Sequence, residues 1–353
     1  MNIKIHSSEL NRMMKTVGQC IDPKSQKLGN IQVIYDSNLL SIRGSNGATA
    51  TVMSTPVIGG DGETFCVDGT MFARVCAMCN GEIGITTDGK VCTIKGVGRT
   101  RLPIVNVEIP TYERVNGNTV TISGGNLSNC YKSVAYAIAE DQSRIQLTGV
   151  LTESEGEFLR MVAIDGFQMS IEETVCEGDK FSAIIPGAFM KLLSASVSGG
   201  ESVKLTVDGH AVQAETDGML LKCPLLAGEF IDYNRIMPKE FKIATKVNAE
   251  AVRTALKAGN VVNNKQNLVK LDVSDDVMKI TNNSEQADFE ADVPCQTVGG
   301  GLKIAFNEKY LMNMVNSIDT EDADMHFNSS VSPVVIKRKD MNSIRLVLPV
   351  RVM

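Results

Sequence analysis

The fold is decided by a stretch near the start of the chain, Ile3-Lys4-Ile5-His6-Ser7-Ser8-Glu9-Leu10. It joins a short segment in which apolar and polar residues alternate, two serines suited to cap a helix, and the start of an amphipathic helix. The pattern returns 117 residues later at Val120-Thr121-Ile122, and again at Phe241-Lys242-Ile243, with Asn248 as the cap. Each copy repeats apolar residues at the helical period, which indicates a packed helix. These residues are Leu10, Met13, Met14 and Val17, then Leu127, Cys130, Tyr131 and Val134, and finally Val252, Ala255 and Leu256.

The second half of each copy also recurs. A strand followed by a helix is predicted at 65–80, 181–197 and 302–318, and Pro186 is tolerated at the middle junction because its missing N–H does no harm there. Hairpins follow, with turns at Asp88-Gly89, Asp208-Gly209 and Asn328-Ser329, spaced by 120 residues. Further strands are predicted at 31–35, 39–42, 145–152, 158–162, 268–273 and 277–280.

Each copy is therefore a strand–helix–three-strand module written twice. The sequence predicts an α+β fold of three similar domains, residues 1–114, 115–238 and 239–353. Pro110 to Asn118 and Ile236 to Glu240 are the predicted linkers. A chain of 353 residues with 43% hydrophobic residues and no Trp has enough aliphatic material for three cores.

The sequence shows no targeting signal and only weak signs of cysteine chemistry. The N-terminal segment alternates apolar and polar residues, unlike a signal peptide, and no run of about 18 apolar residues occurs. We therefore expect a cytoplasmic protein without a membrane span. Nine cysteines lie mostly in apolar stretches, as buried thiols do. Cys76 and Cys79 form a CxxC within a helix predicted at 70–80. A metal or redox site is the alternative there, but no second pair lies at zinc-site spacing.

Catalytic motifs are missing from the sequence. It contains no phosphate-loop, metalloprotease or nucleophile-elbow pattern, and His6, His210 and His326 share no predicted site. Gly299-Gly300-Gly301 leads into a strand, not a helix, which favours a flexible turn over an anion site. We therefore expect a protein that is not an enzyme and needs no cofactor or metal.

Positive charge is concentrated on the predicted helices. The chain has 35 basic and 41 acidic residues, a net charge of −6. The six repeat helices nevertheless hold eight basic residues against Glu9, Glu250 and Glu308. A surface lined by these helices would suit a phosphate backbone without reading its sequence; ordinary solvated helix faces are the alternative. The basic residues are Arg12, Lys15, Arg74, Lys132, Lys191, Arg253, Lys257 and Lys309.

Five segments carry a resemblance to a known family: Leu147-Thr-Gly-Val-Leu151, Val162-Ala-Ile-Asp-Gly-Phe-Gln-Met169, Asp232-Tyr-Asn-Arg-Ile-Met-Pro238, Ala305-Phe-Asn-Glu-Lys-Tyr310 and Leu348-Pro-Val-Arg351. In their order and spacing they resemble the bacterial sliding clamps, the β subunits of DNA polymerase III. The resemblance implies three clamp domains per chain and a head-to-tail homodimer, with sheets outside and helices lining a ring around duplex DNA. It also implies that the helix residues Arg12, Lys15, Arg74, Lys132, Lys191, Arg253 and Lys257 face the DNA.

The resemblance further implies a pocket for short linear peptides from the replicative polymerase, the clamp loader and repair proteins. An apolar groove with a few polar anchors suits peptides carrying Leu or Phe. The alternative for residues 346–352 is a plain final strand. The implied pocket residues are Leu147, Ile164, Gly166, Phe167, Gln168, Met169, Ile231, Arg235, Ile236, Asn307, Tyr310, Val331, Pro333, Leu346, Val347, Leu348, Pro349, Val350 and Arg351.

The sequence departs from the family pattern at three places. Phe167-Gln168-Met169 replaces the usual His-Arg-Leu, Gln266 stands where an aromatic is often found, and Met353 is an extra residue. These changes bear on the charge and peptide preference of the pocket. Leu102 with Val261 and Val262 resemble the family's apolar dimer contacts, although both segments could instead belong to the core.

Two functional hypotheses follow. The first is a non-catalytic clamp that encircles DNA, resides in the cytoplasm and associates with the nucleoid. The second is a peptide-binding scaffold that never encircles DNA. The size of the native assembly and its retention on circular DNA separate the two.

Overall fold

The structure, a computed structural model, describes residues 1–110, 113–262, 267–338 and 342–351. It has the predicted α+β architecture, and the described chain divides into two compact units. The first unit comprises Met1–Ser128, Ser154–Phe158 and Val175–Leu225, and the second comprises Asn129–Glu153, Leu159–Thr174 and Leu226–Met353. Gln266 and Met353, two of the departures noted above, lie outside the described residues.

Six α-helices lie in the described ranges: α1 (Ser7–Val17), α2 (Gly69–Ala77), α3 (Gly124–Val134), α4 (Gly187–Ser196), α5 (Ala249–Gly259) and α6 (Glu308–Asn316). The strands up to residue 123 are β1 (Asn2–His6), β2 (Asn30–Asp36), β3 (Leu39–Ser45), β4 (Ala50–Pro56), β5 (Glu63–Asp68), β6 (Glu82–Thr87), β7 (Val91–Lys95), β8 (Arg99–Pro103) and β9 (Asn118–Ser123). The next are β10 (Gly149–Glu155), β11 (Phe158–Ile164), β12 (Gln168–Val175), β13 (Glu177–Gly178), β14 (Lys180–Pro186), β15 (Ser202–Val207), β16 (Ala211–Thr216) and β17 (Met219–Pro224). The last are β18 (Ile243–Asn248), β19 (Leu268–Val273), β20 (Val277–Asn283), β21 (Asp288–Val298), β22 (Leu302–Asn307), β23 (Asp322–Phe327), β24 (Val334–Lys337) and β25 (Ile344–Val347).

Two sheets organise the first unit. One has the strand order β1-β6-β7-β8, and the other has the order β13-β9-β15-β16-β17-β4-β3-β2-β5. The second sheet is continuous because β17 pairs antiparallel with β4, with Leu220 opposite Val52. These strands belong to different predicted domains, so the sheet crosses the predicted boundary near residue 114. The three-domain division itself stays a prediction.

The second unit contains an analogous continuous sheet. Its strands follow the order β10-β11-β12-β25-β24-β23-β18-β21-β20-β19-β22. The pairing of β12 with β25, in which Met169 lies opposite Leu346, crosses the second predicted boundary. One cluster of buried side chains under α5 and α6 includes Phe306, Phe327 and Leu256, each with no exposed surface. Removing apolar surface of this kind from water is the main stabilising contribution to such a core.

The predicted helices are confirmed, but one cap is not. Asn248 caps α5 as predicted and accepts a hydrogen bond from the Ala251 amide at 2.9 Å. The prediction that Ser7 and Ser8 cap α1 is wrong, because β1 continues through His6 and both serines lie inside the first turn. His6 is the cap, and its Nδ1 accepts a hydrogen bond from the Ser8 amide at 3.3 Å.

The predicted strand at 145–152 begins later than expected. Gln142–Thr148 forms 3₁₀ turns, and the strand starts at Gly149. Asp141 caps this segment by accepting from the Ser143 amide at 2.9 Å. The Thr148 hydroxyl donates to the Ile145 carbonyl oxygen at 2.7 Å. Such local side-chain bonds compete with a ladder and hold the chain in turns.

The first two predicted hairpin turns are confirmed. Asp88-Gly89 joins β6 to β7, and Asp208-Gly209 lies between β15 and β16, with glycine φ values of 85° and 88°. The third connection, between β23 and β24, is longer and spans residues 328–333. The glycines at 299–301 connect β21 to β22, so they lead into a strand as predicted. Gly299 has φ 102°, which favours glycine there.

The CxxC thiols lie in the core of the first unit. Cys76 has no exposed surface, Cys79 is also buried, and burial raises the pKa of the Cys76 thiol to about 12. A thiol of this kind is a poor nucleophile. Among the described ranges, no group of three or more His, Cys, Asp or Glu side chains could hold a metal ion. None of the helices in those ranges has the length and apolar character needed to cross a membrane.

Candidate functional site

A tight turn between β11 and β12 presents an aromatic side chain to solvent. The Asp165 carboxylate accepts hydrogen bonds from the Phe167 and Gln168 amides at 2.8 and 2.9 Å, which closes the turn. Gly166 has φ 97°, a backbone conformation that side-chain-bearing residues rarely adopt. The Asp-Gly step therefore fixes the direction of Phe167, whose side chain is 56% exposed.

Phe167 stacks on Tyr310. The ring centroids are 5.4 Å apart and the planes differ by 12°, the geometry of a parallel aromatic pair. Tyr310 lies in the first turn of α6, and Asn307 caps that helix by accepting from the Lys309 amide at 3.0 Å. Burial, followed by the nearby carboxylates of Asp165 and Glu140, raises the pKa of the Tyr310 hydroxyl. The stack gives a flat apolar surface beside a hydroxyl that stays protonated at neutral pH.

The segment after β25 extends this surface. The Leu348 amide donates to the Phe167 carbonyl oxygen at 2.9 Å, and the Val350 amide donates to the Ala305 carbonyl oxygen at 2.8 Å. Leu348 and Val350 are 38% and 40% exposed, although both are apolar. The residues at 348–350 are thus fixed by main-chain bonds with apolar side chains facing water, as in a groove that takes apolar anchors.

A buried ion pair supports the pairing of β12 with β25. Arg345 and Glu172 are 5% and 6% exposed, and the guanidinium donates to the carboxylate. Arg345 also donates to the Ile171 carbonyl oxygen at 2.6 Å, and the Ser343 hydroxyl donates to Glu172 at 2.9 Å. A charge-assisted network of this kind holds the register that places residues 346–350 beside the Asp165 turn.

Several of the implied pocket residues form the floor beneath the surface. Leu147, Ile164, Met169, Leu346 and Val347 are each at most 3% exposed and contribute through packing. The side chains of Asn307, Pro333 and Pro349 are half-buried, those of Val331 and Arg351 are exposed, and the backbone of Gly166 is exposed.

Gln168 does not face the groove. It is 3% exposed, and its amide nitrogen donates to the Tyr136 carbonyl oxygen at 3.0 Å and to the Asp165 carboxylate at 2.8 Å. Its amide oxygen accepts from Asn313 at 3.5 Å. Gln168 therefore anchors the turn that carries Phe167 and does not form a wall.

The implied residues at 231–236 are held by a separate set of contacts. Arg235 is exposed and pairs with Asp232 at 2.9 Å, while Ile231 and Ile236 are half-buried. Tyr233 anchors the segment by donating to Glu153 at 2.7 Å and accepting from Arg160 at 3.1 Å.

Sequence reasoning missed the supports of the site. Asp165 could have been found from its Asp-Gly step, which predicts a turn. Arg345 could have been found as a lone charge in the apolar stretch Ile344-Arg-Leu-Val347. Asn313 has no comparable signal, because its contact with Gln168 depends on how α6 packs.

Six of the seven residues predicted to face DNA have exposed side chains on helices: Arg12, Lys15, Arg74, Lys132, Lys191 and Lys257. Arg12 also pairs with Glu9 at 3.2 Å. Arg253 differs, since its side chain is 18% exposed and donates to the carbonyl oxygens of Val315 and Ile318 at 3.2 and 3.3 Å. These carbonyls lie at the end of α6, so Arg253 connects two helices.

The residues implied for the dimer contact lie in different environments. Leu102 lies on β8 and is 5% exposed, so it belongs to the core of the first unit. Val261 is 86% exposed and Val262 is half-buried, just beyond α5. The second pair keeps apolar surface available for contact, whereas Leu102 keeps little.

Known proteins of one family resemble this chain in sequence and in fold. Family models of the DNA polymerase III beta subunit match its central domain at residues 121–232 and its C-terminal domain at residues 234–351. The beta sliding clamp of Pseudomonas aeruginosa is 27% identical over 265 residues, covering 72% of each chain, and that of Escherichia coli K12 is 25% identical over 280 residues, covering 76% of each. A solved Pseudomonas aeruginosa sliding clamp bound to griselimycin shares the fold with a TM-score of 0.94 at 23% identity, over the full length of both chains. With two adjoining domain models and these relatives in agreement, the chain belongs to the DNA polymerase III beta subunits, the bacterial sliding clamps.

Proposed function

We propose that this chain is a replication clamp that encircles duplex DNA as a head-to-tail homodimer and does no chemistry. Its three domains would be residues 1–114, 115–238 and 239–353, with sheets outside and helices lining the ring. The domain-model ranges 121–232 and 234–351 support this division. The carrying observation is that six predicted DNA-facing cations stay exposed on helices in a chain whose net charge is −6.

Exposed cations on helices bind the phosphate backbone without reading bases. Such binding is weak for a single contact and falls steeply with salt, so it permits sliding. Retention would then come from topology, since a closed ring leaves a circle only by opening. We place the protein in the cytoplasm, associated with the nucleoid.

The clamp hypothesis is tested by measuring how much protein stays bound to circular and to linear DNA. The protein is loaded onto nicked circular DNA with its clamp loader, and bound protein is measured before and after one cut linearises the circle. A clamp remains on the circle and leaves the linear product. Equal retention on both forms, or a monomer at micromolar concentration, would favour the peptide-binding scaffold instead.

We also propose that the surface of Phe167, Tyr310, Leu348 and Val350 binds short linear peptides from the replicative polymerase, clamp loader and repair proteins. Support comes from its rigid backbone and exposed apolar side chains, the combination that binds peptide anchors at low entropic cost. Anchor residues in such sites each contribute about 2 kcal/mol or more.

Two variants test the peptide surface. Phe167→Ala removes one ring of the Phe167–Tyr310 stack, and deletion of residues 348–353 removes the segment that follows β25. Both should lower the affinity for an apolar-anchor peptide by at least tenfold, while the dimer persists in gel filtration. Phe158→Ala, which removes another half-exposed Phe, is the control and should leave affinity unchanged. Unaltered binding by the truncated protein would refute the assignment.

A further inference from the structure

A groove of about 690 Å³ lies on one face of β19, β20 and β22 in the second unit. Four cationic side chains, Lys270, Lys279, Lys303 and Arg351, line it against one carboxylate, Asp272. The whole chain has 41 acidic and 35 basic residues, so this lining has the opposite bias from the composition. A concave surface with a surplus of one charge concentrates ligands of the other.

The cations of the groove differ in how far they are already neutralised. Lys303 pairs with Asp272 at 2.9 Å, and Lys279 pairs with Glu290 at 2.6 Å. Lys270 is exposed, and its cross-strand neighbours are Thr281 and Ala305, neither of which is charged. Lys270 therefore has charge available for an anionic ligand.

The groove is continuous with the proposed peptide surface. Val331, Val350 and Arg351 line the groove and also belong to the implied peptide pocket. On the ladder of β19 and β22, Asn307 lies opposite Leu268, the Lys270–Ala305 pair comes next on the same face, and the Asp272–Lys303 pair follows. Same-face positions on a strand are about 7 Å apart, so the two lysine rows lie roughly 7 and 14 Å from Asn307.

From this arrangement we propose that the groove binds acidic residues flanking the apolar anchors of a partner peptide. The inference rests on the proposed peptide-binding function and adds the chemistry of the flank. An extended peptide advances about 3.3 Å per residue, so 7 to 14 Å corresponds to roughly two to four residues from the anchor nearest Asn307. Carboxylates at those positions reach Lys270 first.

Three peptides that share one apolar core test this inference. The first has Gly-Ser flanks, and the second and third carry Asp and Glu on the N-terminal or the C-terminal flank. We expect one acidic peptide to bind the full-length protein about three- to tenfold more tightly than the neutral peptide at low salt. Most of that gain should vanish near 1 M salt, where the screening length is about 3 Å.

Lys270→Gln should remove at least half of the gain while leaving the affinity for the neutral peptide unchanged. Lys95→Gln, which removes an exposed lysine from β7 in the first unit, is the matched control and should keep the gain. Equal affinity for all three peptides, with the neutral peptide still bound, overturns the acidic-flank inference alone. Failure of every peptide to bind overturns the proposed peptide function and the inference with it.

Discussion

Replacement of Arg345 by methionine removes the cation at the centre of the β12–β25 pairing. Its guanidinium, in a side chain that is 5% exposed, donates to the Ile171 carbonyl oxygen at 2.6 Å, to the Ser317 hydroxyl at 3.0 Å and to Glu172. After the substitution, Glu172 is still 6% exposed in the native geometry and retains the hydrogen bond from Ser343 at 2.9 Å. One hydroxyl replaces little of the hydration that a carboxylate has in water.

The expected cost follows from this geometry. Removing one partner of a buried ion pair typically destabilises a protein by about 3–5 kcal/mol, because the other charge stays buried without compensation. The double variant Arg345→Met with Glu172→Gln removes both charges, and we expect it to recover at least ~2 kcal/mol of the loss. Arg235→Met breaks the exposed pair with Asp232 and should cost under ~1 kcal/mol.

Urea unfolding followed by near- and far-UV circular dichroism measures these differences as shifts of the transition midpoint. Because the chain has two compact units, the shift should appear in one part of the transition if the units unfold separately. The reasoning is refuted if Arg345→Met costs no more than Arg235→Met, or if the double variant is no more stable than the single one.

Three further predictions follow. Glu308 is 3% exposed and accepts a hydrogen bond from Asn282 at 3.1 Å, and burial raises the pKa of its carboxyl, so folding favours the protonated form. The charged form therefore lowers the free energy of unfolding above the raised pKa, and this destabilisation is lost as pH falls toward the unfolded pKa of 4.5. Glu308→Gln should therefore raise the melting temperature at pH 7 and flatten its dependence on pH, and an unchanged pH profile would contradict this. Gly166→Ala should cost about 1–2 kcal/mol in urea unfolding and weaken peptide binding, because φ is 97° there; full peptide affinity would contradict it. Arg253→Met should lower the free energy of unfolding by ~1 kcal/mol with little effect on the salt dependence of DNA binding. Lys257→Glu should reduce that salt dependence and leave the stability unchanged. The reverse outcome would exchange the roles of the two residues.

The helices were predictable because their apolar stripes repeat three times along the chain. Capping by Asn248 was predictable for the same reason, since the residue type and its position both fit a local rule. The cap at His6 was not, because the long-range pairing of β1 with β6 carries the strand through His6, so that the helix begins at Ser7 and the cap falls before both serines. A local signal gives way when a ladder hydrogen bond competes for the same backbone.

In the candidate site, too, features set by local sequence were predictable and features set by long-range contacts were not. Family resemblance identified Phe167 and Tyr310, but neither residue type predicts that the rings stack 5.4 Å apart. The resemblance implies that Gln168 belongs to the pocket, whereas its side-chain amide is hydrogen-bonded inside the turn. Side-chain direction depends on which neighbours offer hydrogen bonds, and those neighbours come from segments far away in sequence. The cationic groove could not be predicted because its lysines converge only when three strands align.

The β12–β25 pairing has a consequence for the timing of biosynthesis. Ile171 and Arg345, which it brings together, are 174 residues apart in the chain. At about 5–20 residues per second, a ribosome needs roughly 10–35 seconds to pass from one to the other. During that interval β12 has an edge without its final partner, and the proposed peptide surface is not yet assembled. If the proposed peptide function holds, partner peptides engage only chains whose synthesis has passed residue 350, and docking itself discriminates against truncated products.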